Sequence, residues 1–217
     1  MRESLEASPW TDIGIGSGKV TDIGPLVMGN RLRTRKSNNA YSTLIYNKGG
    51  LVLRMLHFLF ADYDTGDDEP FFAMMKDFVN RNRDGWVTTE SFVQVANEHF
   101  PQTYIARKFG MKNLDWFFVQ WVWQTALPVY RLEYWLEDQP KGAVLVKGLL
   151  FQDSAPDNWV MPLPLAIRFS GKRVAHTTVL AFGPRSEIQL TLPERPSSIQ
   201  LDPDLWVLSS NTSTKRR

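Results

Sequence analysis

The sequence contains no cysteine among its 217 residues. A chain without thiols can form no disulfide, use no cysteine nucleophile and build no thiolate zinc site, and the absence of thiols leaves the cellular compartment open. Histidine is also scarce: His57, His99 and His176 lie far apart, and none belongs to a His-x-x-x-His pair. We therefore expect this chain by itself to bind no metal and no other cofactor.

Long apolar runs and charge of one sign are likewise missing. The most apolar stretch, residues 51–60, is short and contains Arg54 and His57, so we expect no membrane span. The 25 Lys and Arg residues nearly balance the 23 Asp and Glu residues, and they are scattered along the chain. Nucleic acid is therefore not an expected partner, because no basic stripe could neutralise a phosphate backbone.

The first half of the chain has the apolar period of helices. Apolar residues recur every three or four positions from Ala40 to about Asp62, and the same spacing predicts helices over 70–80, 89–100 and 114–125. Thr88 is the expected cap of the third of these helices. We assign residues 1–127 to one helical part.

After Pro128 the period changes to two, which is typical of half-buried strands. About six or seven short strands are expected between 128 and 208, at the spacing of a small antiparallel β-sandwich. Pro162 and Pro164 cannot donate backbone hydrogen bonds, so their strand is expected at a sheet edge. The alternation predicts five inward-facing residues, namely Leu163, Leu165, Ile167, Ile188 and Leu190. The polar, basic residues 209–217 are expected to be a disordered tail.

Residues 80–91 follow the early positions of a calcium-binding helix-loop-helix, with Asn80, Asn82, Asp84 and Gly85 in place. The twelfth position, however, is Ser91 rather than the bidentate Glu that completes such a loop. A tight turn between two helices explains the same residues, and we favour this interpretation.

Residues 40–50, AYSTLIYNKGG, resemble a segment of the alanyl aminopeptidases and leukotriene hydrolases. In that zinc metallopeptidase family an upstream tyrosine is followed by Tyr-Glu-Lys-Gly and a long apolar helix; here Asn47 stands in place of the Glu. Further similar pieces follow the family's order, and the likeness is strong from Gly24 to Tyr134 and weak through the β half. These pieces are GPLVMG at 24–29, VLRML at 52–56, the helix at 71–79, TTESF at 88–92 and DWFFVQW at 115–121.

The resemblance implies an α+β fold in which the helical C-terminal part of a thermolysin-like catalytic domain precedes the β-sandwich. It also implies a zinc-dependent enzyme that releases N-terminal residues from peptide substrates. The family's zinc motif, His-Glu-x-x-His with a distal Glu, and its amine-binding Gly-x-Met-Glu-Asn strand do not occur in this sequence. The resemblance therefore implies an upstream zinc-bearing segment as the partner of this chain, which alone is expected to be inactive.

By the same resemblance, Tyr46 is the residue that stabilises the oxyanion, and Tyr41 matches the family's second tyrosine, whose importance is smaller. A tyrosine phenol keeps its proton at neutral pH and can donate a hydrogen bond to a tetrahedral oxyanion in a dry site. The alternative for both residues is core packing with a satisfied hydroxyl. Gly49 and Gly50 weaken a helix, so we expect another helix or a substrate channel to require them.

A different function class remains open for the whole chain. A relative that lost the zinc site could keep the helices and the sandwich as a non-catalytic scaffold for protein interactions. The side-chain preference of an enzyme and its oligomeric state do not follow from the sequence.

Overall fold

The computed structural model describes residues 20–33, 39–62 and 65–217. The chain divides into two compact units. The first comprises the described residues up to Asp62 together with Asp67–Leu127, and the second comprises Pro128–Arg217 together with Thr65 and Gly66. The first unit is helical and the second contains two sheets, so the predicted α+β class is confirmed. None of the helices in the described ranges is long and apolar enough to cross a membrane.

The helical unit contains five α-helices, a π-helical segment and several 3₁₀ turns within its described residues. The π-helical segment Ser42–Lys48 runs directly into α1 (Gly49–Phe60); α2 (Glu69–Arg81), α3 (Thr89–His99), α4 (Tyr104–Phe109) and α5 (Asp115–Trp121) follow, and 3₁₀ turns cover Val20–Ile23, Leu26–Leu32 and Phe100–Gln102. The helices predicted from the apolar spacing are confirmed, whereas α4 was not expected. Its short sequence is bounded by a Thr103 cap and by Gly110, which has a left-handed backbone with φ 64°.

The core of this unit is built largely from one side of α1. Met55, Leu59 and Phe60 are fully buried, and they share the interior with Phe100 and Trp121. Burial of this apolar side stabilises a helix whose length alone would leave it marginal in water.

The turn before α3 shows why the calcium-like loop ends in serine. Ser91 N donates to Thr88 Oγ1 and Thr88 N donates to Ser91 Oγ, each at 3.1 Å, which forms a reciprocal capping box. The predicted Thr88 cap is therefore confirmed, and Ser91 serves the helix start.

The second unit contains seven strands: β1 (Val129–Asp138), β2 (Val144–Asp153), β3 (Val160–Arg168), β4 (Val174–Phe182), β5 (Arg185–Leu192), β6 (Ser198–Leu201) and β7 (Asn211–Arg216). One sheet has the order β5-β2-β1-β7 and the other has the order β4-β3-β6. Neighbouring strands are antiparallel except β7, which pairs parallel to β1. Of the five residues predicted to face inward, four are buried and Leu190 is half-buried.

The predicted disordered tail at 209–217 is wrong, because most of it forms β7. The strand pairs with β1 from Val129 opposite Asn211 to Tyr134 opposite Arg216. Thr214 Oγ1 also accepts a hydrogen bond from Leu201 N at 2.9 Å, which links β7 to β6. The polar composition suggested disorder, but backbone hydrogen bonds along β1 need no apolar side chains.

The prolines of β3 do not mark an edge strand, since β3 lies at the centre of its sheet. The edge of β3 that faces β6 is paired only along Leu165–Arg168. Pro164 accepts a hydrogen bond from Asp202 N at 2.8 Å on that same edge, beyond the end of β6. Pro162, two residues earlier, shares this orientation, so both missing N–H groups fall where the partner strand has ended.

Candidate functional site

Tyr46 lies in the π-helical segment and is 65% exposed. Core packing therefore does not explain this tyrosine. A π-helix contains more residues per turn than an α-helix, is rarely longer than one turn, and occurs frequently at functional sites. The local backbone is thus an unusual one, and it presents the Tyr46 side chain to solvent.

Tyr41, the second predicted site residue, is brought next to Tyr46. The two rings meet edge to face with centroids 6.0 Å apart and an interplanar angle of 81°. The Arg33 guanidinium lies 4.2 Å from the centroid of the Tyr41 ring, a cation–π contact that the sequence did not predict. Tyr41 is half-buried, whereas Tyr46 is mostly exposed.

Tyr46 borders an apolar groove of about 490 Å³ in the helical unit. Val27, Val122, Phe92 and Phe118 line this groove, which we call the Tyr46 groove. The groove places apolar surface beside the ring, and a ligand that fills it would remove water from the phenol, which strengthens a hydrogen bond made there. The phenol and the groove together could bind a molecule with one polar acceptor and adjacent apolar surface.

Gly49 and Gly50 also line the Tyr46 groove. A Cβ atom added at Gly50 would meet nothing within 4 Å among the described residues, and one added at Gly49 would meet only the Leu44 carbonyl oxygen at 3.9 Å. No other helix of the described part therefore requires these glycines. They leave open space in the groove next to Tyr46.

Lys48 is the other unusual residue of the π-helical segment, and sequence reasoning missed it. Its side chain is only 1% exposed, and Nζ donates a hydrogen bond to the Gln124 carbonyl oxygen at 3.1 Å. Burial disfavours the ammonium form and lowers the pKa of Lys48 from 10.5 to about 8. The available signal was its position on the apolar side, four residues from both Leu44 and Val52, which are buried.

The histidines of the helical unit each lie within hydrogen-bonding distance of an aspartate carboxylate. His57 Nε2 lies 3.1 Å from Asp68 Oδ2, and His99 Nε2 lies 2.8 Å from Asp77 Oδ2. The hydrogen bonds from His99 and then Arg81 lower the pKa of Asp77. Within the described ranges, no group of three or more His, Asp or Glu side chains could hold a metal ion.

Comparison with known proteins does not assign a family. The sequence matches no protein-family model, and the search of curated proteins also finds no match.

We expect Gly50→Ala to raise the free energy of unfolding by about 1 kcal/mol, because alanine favours a helix and its Cβ would meet none of the described residues. Gly110→Ala is the matched control: its left-handed φ of 64° makes the same change destabilising. Urea denaturation of both variants measures these effects. A loss of stability in Gly50→Ala would show that the fold itself requires this glycine.

The pKa of Lys48 predicts a pH-dependent contribution to stability. Between about 8 and 10.5 the unfolded chain binds the Lys48 proton and the folded chain does not, so this contribution rises with pH. We expect the free energy of unfolding of the wild type minus that of Lys48→Met to rise across this window, by at most about 1.4 kcal/mol per pH unit. Urea denaturation at several pH values measures it.

Lys76→Met is the control for this measurement, because Lys76 is an exposed lysine on α2. Its difference from the wild type should stay flat over the same pH range. The prediction is wrong if Lys48→Met and Lys76→Met show the same pH dependence.

Proposed function

We propose that this chain is the C-terminal part of a zinc-dependent aminopeptidase of the alanyl aminopeptidase type. In this proposal the enzyme hydrolyses N-terminal residues from peptides, and Tyr46 stabilises the oxyanion. The observation that carries the proposal is the exposed Tyr46 on a π-helical segment beside an apolar groove. It supports the role that the resemblance of residues 40–50 implies.

The chemistry of Tyr46 follows from its surroundings. Attack of water on a peptide carbonyl places negative charge on the carbonyl oxygen, and a preorganised donor aimed at that oxygen lowers the barrier. The phenol supplies such a donor, and the apolar walls formed by Phe92 and Phe118 reduce competition from water. Because the Tyr46 ring is mostly exposed, a peptide could reach it without unfolding the helix.

The Tyr41 ring supports this arrangement from the side. Its edge-to-face contact limits the positions available to the Tyr46 ring, and its own contact with Arg33 holds it in place. In the proposal Tyr41 is therefore less important than Tyr46, because it acts on the oxyanion only through Tyr46.

The described residues do not fit a zinc site, since they contain no suitable group of ligands. In the proposal, zinc and its ligands belong to the upstream segment of the same enzyme, which is the partner of this chain. What this chain contributes is Tyr46, the groove and the β-sandwich. The thermolysin-like context of the helices is part of the same proposal.

A protein-interaction scaffold is the second candidate function, and the exposed apolar residues of the helical unit favour it. Trp86 is 98% exposed in the turn before α3, and Val87 beside it is also exposed. Exposed apolar surface marks protein contacts where it is contiguous, and Trp86 and Val87 contribute two adjacent side chains to such a surface. This candidate assigns no chemical role to the Tyr46 hydroxyl, so mutation of that hydroxyl separates the two functions.

Replacing Tyr46 by Phe in the zinc-bearing parent enzyme removes the donor and keeps the ring. Loss of one such donor costs about 2.7–4 kcal/mol, so we expect turnover to fall roughly a hundredfold to a thousandfold. KM should barely change if Tyr46 acts only in the transition state. Steady-state kinetics with aminoacyl reporter substrates measure both quantities.

Tyr41→Phe is the matched control and should lower turnover less. Thermal melting of both variants should equal that of the parent, because the Tyr46 ring is exposed and the change removes one hydroxyl. The catalytic role is rejected if Tyr46→Phe keeps more than about a third of normal turnover, which corresponds to well under 1 kcal/mol.

A further inference from the structure

Tyr46 and Lys48 point to different environments although only one residue separates them. The Tyr46 side chain is 65% exposed, whereas the Lys48 side chain is 1% exposed. Residues two positions apart on a helix lie on nearly opposite sides of its axis. A single orientation of the π-helical segment about its own axis therefore buries Lys48 and exposes Tyr46.

The residues that follow α5 accept hydrogen bonds from two other parts of the helical unit. Lys48 Nζ donates to the Gln124 carbonyl oxygen at 3.1 Å, and Val27 N donates to the Val122 carbonyl oxygen at 3.1 Å. Val27 and Val122 also line the Tyr46 groove. The Lys48 hydrogen bond thus connects the segment that carries Tyr46 to a wall of the groove that Tyr46 borders.

We propose that Lys48 is a positioning residue: it holds the π-helical segment in the orientation about its own axis that places Tyr46 beside its groove. This inference rests on the proposed function only for its catalytic meaning, because the orientation of Tyr46 can be measured without any activity. The long apolar stem of Lys48 fills interior space, and its terminal nitrogen reaches a carbonyl that an apolar side chain would leave without this donor.

A π-turn needs such a restraint because the α-helix is the more favourable continuation. Closing the wide turn into an α-turn would remove one residue from it and rotate part of the segment by about 100°. Tyr46 would then leave its place beside the groove, and its contact with Tyr41 would change. Loss of the Lys48 hydrogen bond should therefore alter the environment of both tyrosines.

Fluorine NMR of the chain labelled with 3-fluorotyrosine tests this proposal directly. The sequence has six tyrosines, and Tyr46→Phe and Tyr41→Phe assign the two relevant signals. In Lys48→Met we expect the Tyr46 and Tyr41 signals to move, while those of Tyr130 and Tyr134 in the β unit stay in place.

Lys48→Arg, which keeps a charged donor, should restore the wild-type signals at least in part. Lys76→Met is the control for the loss of a lysine charge and should move neither signal.

Unchanged Tyr46 and Tyr41 signals in folded Lys48→Met would overturn the proposal. If Lys48→Met does not fold, Lys48→Gln, which keeps a shorter uncharged donor, is read in the same way. If neither variant folds, Lys48 holds the whole helical unit together rather than the orientation of Tyr46, and the proposal is rejected. These outcomes are separate from the failure of the proposed function, which an active Tyr46→Phe enzyme would show.

Discussion

The hydrogen bond from Lys48 to the Gln124 carbonyl oxygen places a charged side chain in the interior of the helical unit. Burying an ammonium group is costly unless it is hydrogen-bonded, and the lowered pKa of Lys48 is the sign of that cost. A methionine would avoid the cost of burying charge, but it would leave the Gln124 carbonyl oxygen without the donor that Lys48 supplies. Lys48 thus combines the cost of a buried charge with a hydrogen bond that connects the π-helical segment to the residues after α5.

Gly50 and Tyr46, each two residues from Lys48, are also unusual for their positions. Gly50 weakens the helix at a place where an alanine Cβ would meet nothing in the described part of the chain. Tyr46 exposes a large ring beside an apolar groove. The buried Lys48, the exposed Tyr46 and Gly50 lie within five residues, and together they support the proposal that residues 46–50 serve binding or chemistry.

The sequence located most of the fold because burial requires regular spacing. Apolar residues every three or four positions placed α1, α2, α3 and α5, and the change to a period of two after Pro128 indicated the strands of the second half. The seventh, β7, was missed because its Thr and Ser side chains carry no apolar period. It is stabilised by backbone bonds to β1 and by Thr214, whose hydroxyl accepts from Leu201 N. The loop between β6 and β7 is stabilised by the buried Asp202 carboxylate, which accepts hydrogen bonds from the N–H groups of Trp206 and Val207.

The candidate site was predictable only in part. The resemblance selected Tyr46 and Tyr41, and the structure brings their rings together. The π-helical turn could not be anticipated, because the buried positions Leu44, Lys48 and Val52 keep the four-residue spacing that an α-helix also has. The burial of Lys48 was missed because lysine is normally exposed. Arg33 was missed because cation–π contacts between distant positions leave no mark in the sequence.

Expression of the full reading frame that contains this chain, followed by measurement of its zinc content and its hydrolysis of aminoacyl reporter substrates, tests the central claim most directly. The account predicts a His-Glu-x-x-His motif with a distal Glu upstream of residue 1, roughly one zinc ion per chain and release of the N-terminal residue. A full reading frame with neither the motif nor bound zinc nor hydrolysis would contradict it and would favour the interaction scaffold.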